Sequence, residues 1–295
     1  MYVCDKTKTL SFTPIFANLI DMKFLKLSLV ALILTTAACS GTKDKNDPTI
    51  DTTVPVETLY TNAARALDAG KPEEAIKGFQ EIERLHPYSK WAKQAQLMAA
   101  YAYYDNESYD DAILALDRFI QLHPGHKSLD YAYYLKALSY YDQISDVARD
   151  QFMTEEALNA FNTLIRRFPD SIYTRDATLK RDLTLDHLAG KEMEIGRYYL
   201  NRGHVNAAIN RFRAVVTDYQ TTTHTAEALH RLVESYLKLG LIDQATKIAS
   251  VLGYNYPGSP WYEKSYALLD DKSRQQILDK RGFIDRTVES LFKPE

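Results

Sequence analysis

Glu74-Ala-Ile-Lys-Gly-Phe79 organises this 295-residue chain, because it returns four times: as Asp111-Ala-Ile-Leu-Ala-Leu116, Glu156-Ala-Leu-Asn-Ala-Phe161, Ala207-Ala-Ile-Asn-Arg-Phe212 and Gln244-Ala-Thr-Lys-Ile-Ala249. The shared alanines are Ala75, Ala112, Ala157, Ala208 and Ala245. Twelve residues after each stands Pro87, Pro124, Pro169, Gln220 or Pro257, preceded by His86, His123, Phe168, Tyr219 or Tyr256. Upstream, small or apolar Ala63, Ala100, Ala137, Gly196 and Val233 are each followed three residues later by Ala66, Tyr103, Tyr140, Tyr199 or Tyr236. A recurring unit of this kind decides the fold before any local propensity does.

A small residue where two helices touch, an aromatic one turn on, then Ala, an apolar residue four further and a closing proline resemble the tetratricopeptide repeat (TPR), a pair of antiparallel helices. Small residues let helices approach closely, and proline cannot continue the second helix. The expected fold is therefore all-α, a TPR solenoid of five helix hairpins with a C-terminal capping helix over Pro260 to Leu269 and a charged, frayed tail. The alanine spacings of 37, 45, 51 and 37 place two insertions in the array. The first, around Asp142 to Phe152, reads as a long connection between helices. The second, between Pro169 and Gly196, is helix-compatible and reads as an extension of the first helix of repeat four. Splitting the array at that joint gives repeats 1–3 over residues 57–189 and repeats 4–5 with cap and tail over residues 190–295.

Before the repeats, Phe24, Leu25 and Leu27-Ser-Leu-Val-Ala-Leu-Ile-Leu34 form an apolar run behind Lys23, followed by small residues 35–38. That is the layout of a secretory signal, too short for a spanning helix. Met22 opens the pattern, so residues 1–21 read as an upstream start extension of a signal ending at residue 38. Thr36-Ala-Ala-Cys39 resembles the bacterial lipobox, with Thr36 where Leu is usual, and assigns Cys39 as a lipidated residue. The other cysteine, Cys4, would leave with the signal, so no intramolecular disulfide can form. Several acyl chains on Cys39 would give stable anchoring, and Ser40, in place of an Asp, points to the outer membrane. Residues 39–56 hold few large apolar groups and read as a flexible tether. With residues 1–38 go four Lys and two Asp, so a formal charge of −3 becomes −5.

That mild negative charge disfavours a nucleic-acid partner, and 11 Gly among 295 residues is sparse for a glycine-rich nucleotide binder. His123-Pro-Gly-His126 has a suggestive metal spacing, but His86 and His123 occupy the slot where other repeats carry Phe or Tyr, so they read as rings packed at the repeat ends. Further metal ligands are missing nearby. Carboxylates are scattered over helix faces, and no nucleophile elbow or phosphate loop occurs. The expectation is a protein without metal, cofactor or catalytic residues. The outlier is tyrosine, 21 residues against 11 Phe, a ring with a hydroxyl suited to recognition surfaces. First helices of such hairpins line the inner curve of the stack. Tyr60, Leu97, Tyr101, Tyr104, Tyr131, Tyr134 and Tyr141 are expected there as a groove for an extended peptide, edged by Asp68, Asp105 and Asp142.

Tyr101-Ala-Tyr-Tyr104, Asp117-Arg-Phe-Ile-Gln-Leu-His-Pro124, Asp130-Tyr131, Tyr198-Tyr-Leu-Asn-Arg-Gly203 and Asn210-Arg211, in that order, resemble the ComL/YfiO family of outer-membrane lipoproteins across about residues 22–257. The resemblance implies a non-catalytic subunit of the outer-membrane β-barrel assembly (BAM) complex, a partner of BamA on the periplasmic face. It implies an amino-terminal half that receives targeting segments of unfolded outer membrane β-barrel proteins. The carboxy-terminal half would bind BamA and the smaller BAM lipoproteins, with Arg202 and Arg211 toward BamA. Read locally, Arg211 is a solvated helix residue. The stretch after Pro257 departs from the family pattern. Two alternatives stay open: a pilotin-like lipoprotein assisting pilus or secretin assembly, and a cell-wall enzyme on a solenoid scaffold.

Overall fold

The structure is a computed structural model and describes residues 54–279. The signal, Cys39 and nearly all of the tether lie outside the described residues, as does the end of the tail. Among the described residues there are twelve helices and no strand: α1 Val56–Asp68, α2 Pro72–Leu85, α3 Lys90–Asp105, α4 Tyr109–Leu122, α5 Leu129–Tyr141, α6 Phe152–Arg167, α7 Thr174–Asn201, α8 Val205–Asp218, α9 Thr225–Lys238, α10 Ile242–Asn255, α11 Pro260–Leu268 and α12 Asp271–Asp279. Helices α1 to α10 pair in order into five hairpins. Each helix packs on its chain neighbours, and the first helices also meet one another, α1 with α3, α3 with α5 and α5 with α7. This is the TPR arrangement.

The second helix of every hairpin carries the same core stripe. Ala75, Ala112, Ala157, Ala208 and Ala245 are fully buried. Four residues on, Phe79, Leu116, Phe161, Phe212 and Ala249 are buried, and three further Ile82, Phe119, Leu164, Val215 and Leu252 close the stripe. Spacings of four and seven return to one helix face. Against it lies the small residue of the first helix: a Cβ built on Gly196 would sit 2.4 Å from the Phe212 ring, and one on Gly78 would sit 2.8 Å from Ala63 Cβ. Ile, Leu or Phe at these contacts would force the pair apart.

Helix ends repeat as well. His86, His123, Phe168, Tyr219 and Tyr256 leave their helices with φ between −128° and −133° and ψ between 39° and 62°, outside the α region that a following proline disfavours for its neighbour. At the tight turns inside the hairpins, five residues before the buried alanine, Gly70, Glu107, Gly203 and Gly240 take positive φ of 69°, 57°, 79° and 73°. The next amide reaches back to the carbonyl of Ala66, Tyr103, Tyr199 or Tyr236, a Schellman closure of the first helix.

Both insertions fall where the spacing put them. Residues 142–151 form an irregular connection ending at Phe152, and α7 runs 28 residues without interruption. The expected frayed tail is in part a helix: Asp270 Oδ1 accepts from the Ser273 amide at 2.8 Å and caps α12, while Leu269 and Ser273 are buried.

Candidate functional site

Half-buried tyrosines from α3 and α5 gather on the first-helix side of the stack, and most are tied to a neighbouring hairpin. The Tyr104 hydroxyl donates to Asp142 Oδ2, the residue that ends α5, at 2.5 Å. Tyr134 on α5 donates to Asp176 Oδ2 on α7, also at 2.5 Å, and stacks on Tyr173 with ring centroids 4.9 Å apart and planes at 18°. Tyr131 meets the same Tyr173 ring at 5.4 Å. Tyr141 packs edge-on against buried Phe161 and lies under the Lys180 ammonium, 5.9 Å from the ring centre. Burial raises the hydroxyl pKa of Tyr104, Tyr131 and Tyr134, and for Tyr104 and Tyr134 the carboxylate that accepts their hydrogen bond raises it further. Asp176 is held below the usual carboxylate range, first by the Tyr134 hydroxyl and then by Lys180.

The expected groove therefore divides. Tyr101, Tyr104, Tyr131, Tyr134 and Tyr141 are all half-buried along α3 and α5, and Tyr131 and Tyr134 meet Tyr173 and Asp176 of the next hairpin. Tyr60 sits apart at the first joint, wedged between Phe79 at 5.5 Å and Trp91 at 4.9 Å. Leu97 is not a groove residue: it is 5% exposed and packs with Ala100, Leu116, Phe119 and Leu135, because α3 is enclosed by α2 and α4 and buries more than one face. Of the expected acidic edge, Asp68, Asp105 and Asp142 are exposed, and Asp142 takes the Tyr104 hydroxyl.

Three features of this tyrosine-rich region escape sequence reasoning. Tyr173 and Asp176 complete it from the start of α7. Leu179 and Leu183, one helical turn apart, are each 59% exposed, and Leu183 shares the face of Asp176 and Lys180 by helical spacing. The Tyr104 and Tyr134 bonds also belong to a series linking successive first helices and the cap: Trp91 to Glu57 at 3.0 Å, Arg197 to Glu227 at 3.3 Å and His230 to Ser265 at 2.8 Å. The signal for these was the acidic or hydroxyl residue facing a tyrosine, tryptophan, histidine or arginine one repeat away, visible only once the register is known.

In the carboxy-terminal half, Arg211 Nη1 donates to both carboxylate oxygens of Glu192 at 3.1 Å while the side chain stays 44% exposed. Arg202 ends α7, exposed, its guanidinium 4.5 Å from the Tyr198 ring centre. Glu192 and Arg202 are ten residues apart on one helix, roughly 15 Å of rise, so the two arginines do not form one patch.

His123 and His126 both stand edge-on to Phe119 at 5.1 Å. His123 pairs with Gln96 and His126 accepts from the Ser128 amide, and burial lowers both pKa values. They are neutral packing rings rather than a ligand pair. Among the described residues no group of three or more His, Cys, Asp or Glu could hold a metal ion, and no helix is long and apolar enough to cross a membrane.

Comparison with known proteins bears on this geometry. The family described as outer membrane lipoprotein, YfiO, matches residues 52–252. The outer membrane protein assembly factor BamD of Caulobacter vibrioides is 49% identical over 89% of this chain and 88% of its own length. That of Rickettsia prowazekii is 47% identical over 84% and 98%, and that of Neisseria meningitidis serogroup A is 37% identical over 81% and 93%. Among solved structures, a thermophilic TPR protein of Thermus thermophilus aligns at 17% identity and a TM-score of 0.35, over 72% of this chain and all of that one; the repeat assignment rests on the helix register above. Matched over its whole repeat array, this chain belongs to the YfiO family of outer membrane lipoproteins.

Proposed function

We propose that this protein is a non-catalytic scaffold of the BAM complex, held on the periplasmic face of the outer membrane by lipid on Cys39. Its amino-terminal half, residues 57–189, holds targeting segments of unfolded outer membrane β-barrel proteins in the tyrosine trough. Its carboxy-terminal half, residues 190–295, docks onto BamA, with Arg211 and Arg202 on the docking side and the other BAM lipoproteins nearby. The observation that carries this reading is the match to assembly factors across more than four fifths of both chains, joined to the half-buried tyrosines that gather on α3 and α5. A bound strand offers alternate side chains about 7 Å apart, a spacing that rings on neighbouring helices can follow, and main-chain polarity at its edges.

The test separates docking from folding. Arg211→Glu breaks the ion pair with Glu192, whereas Glu192→Arg combined with Arg211→Glu restores it with the signs exchanged. Tagged full-length protein purified from envelopes should lose BamA about tenfold or more in both variants, the scale of a buried interfacial charge. Recovery of BamA by the swapped pair would show that only the ion pair mattered, and wild-type protein that brings down no BamA would end the proposal.

A further inference from the structure

Two carboxylates in the trough are spent on tyrosine hydroxyls rather than left for a ligand. Asp142 accepts a hydrogen bond from the Tyr104 hydroxyl and Asp176 one from the Tyr134 hydroxyl, both at 2.5 Å. Each bond crosses a joint between hairpins, from α3 to the end of α5 and from α5 to the start of α7. Asp176 does more than this: Lys180 donates to its other oxygen at 3.2 Å, and the same ammonium lies over Tyr141. Through Tyr134 the carboxylate also fixes the stack on Tyr173. One acidic side chain thus binds Tyr134 and Lys180 directly and reaches Tyr141 through Lys180, and one face of the Tyr134 ring is already covered.

We infer that Asp142 and Asp176 are positioning residues of the trough, which fix the spacing of α3, α5 and α7 and turn Tyr104 and Tyr134 so that a client meets ring edges and faces, not hydroxyl groups. The inference rests on the peptide-holding reading above and deepens it. Where Tyr104 and Tyr134 line the trough their hydroxyls are satisfied internally, so these two rings select a segment by its aromatic and aliphatic side chains and reward no particular polar side chain. That matches an extended segment with apolar residues at alternate positions, whose polar residues face water. A charge-assisted hydrogen bond is short and about twice as strong as a neutral one, enough to hold a side chain that has two other staggered wells open to it. The depressed pKa of Asp176 keeps that acceptor ionised well below neutral pH.

The experiment uses full-length protein and a synthetic peptide alternating Phe with Thr, its binding followed by fluorescence anisotropy. Tyr134→Phe removes the donor, Asp176→Ala the acceptor, and the double variant both. Each single change should weaken binding about tenfold or more, the scale of one charge-assisted hydrogen bond, and the double change should be no worse than Asp176→Ala alone, because the hydroxyl acts only through its acceptor. Spin labels on unnatural residues at Asp105 and Asp182, both exposed, should report a shifted or broadened distance in all three variants.

Affinity lost in Tyr134→Phe but kept in Asp176→Ala would mean that the hydroxyl itself contacts the peptide, and the inference falls. Losses that multiply in the double variant overturn it too. Should wild-type protein bind no peptide, the trough reading fails on its own, and the label distances still decide whether the carboxylates set helix spacing: an unchanged distance refutes that.

Discussion

Glu107 occupies the turn position that the matching repeats give to Gly70, Gly203 and Gly240, and it adopts the same left-handed backbone at φ 57°. A side chain there costs about 1–2 kcal/mol, partly offset because glycine would loosen the unfolded chain by about 0.5–1 kcal/mol. Glu107→Gly should therefore raise stability by about 0.5–1 kcal/mol in urea titration; a loss would mean that Glu107 makes a contact worth more than its strain. The residue scale is also where the sequence was least legible. The tyrosines announce themselves by number, yet their partners are 38 and 42 residues away, Asp142 for Tyr104 and Asp176 for Tyr134. No local pattern marks an aspartate as a hydroxyl acceptor. Leu97 misled for a different reason. On α3, Ala92, Ala95, Leu97, Ala99, Ala100 and Ala102 are all buried, so apolar periodicity cannot separate an inner face from a packed one.

At the scale of elements the sequence was far more readable, because each hairpin restates the same constraints. The buried alanine, the apolar residues four and seven beyond it and the small residue opposite are forced by close contact between two helices, and that contact recurs five times. Even the two insertions were placed by spacing alone. What spacing could not give was α12, whose stretch is polar but for Ile277 and Leu278 and whose helix depends on a cap at Asp270 and the burial of Leu269. The closing prolines raise a separate question, whether they cause the helix ends or only accompany them. Tyr219 ends α8 with φ −128° although Gln220 follows it, so the exit geometry survives without proline. Pro124→Ala should accordingly leave α4 ending at Leu122, with unchanged helical circular dichroism and a stability loss of about 0.5–1 kcal/mol arising from the freer unfolded chain. A loss several times larger would assign the helix stop to the proline ring itself.

Along the whole array, stability is distributed unevenly. Buried residues of the last two hairpins and the cap form one cluster of 20, from Ala189 to Leu269. Those of the earlier hairpins fall into clusters of 8, 7 and 5. The change comes within α7, where Ala177 belongs to the preceding core and Ala189 to the following one. Between these, α7 is tied to flanking turns: Asp186 accepts from the Thr223 amide and hydroxyl at 2.9 and 2.7 Å, and Lys191 donates to the Ala148 carbonyl at 2.8 Å. Gly190 makes room for this meeting, since a Cβ there would come within 3.3 Å of His224 Nε2 and 3.7 Å of Val147. In a stacked array, stability is close to a sum of units and their interfaces, so segments with smaller cores open at lower free energy. Native-state hydrogen exchange should rank the amides accordingly, with α8 to α10 exchanging last, α6 first, and the 174–186 part of α7 opening before the 189–201 part although both belong to one helix. A single opening free energy along α7 would show that the helix joins the two cores into one cooperative unit.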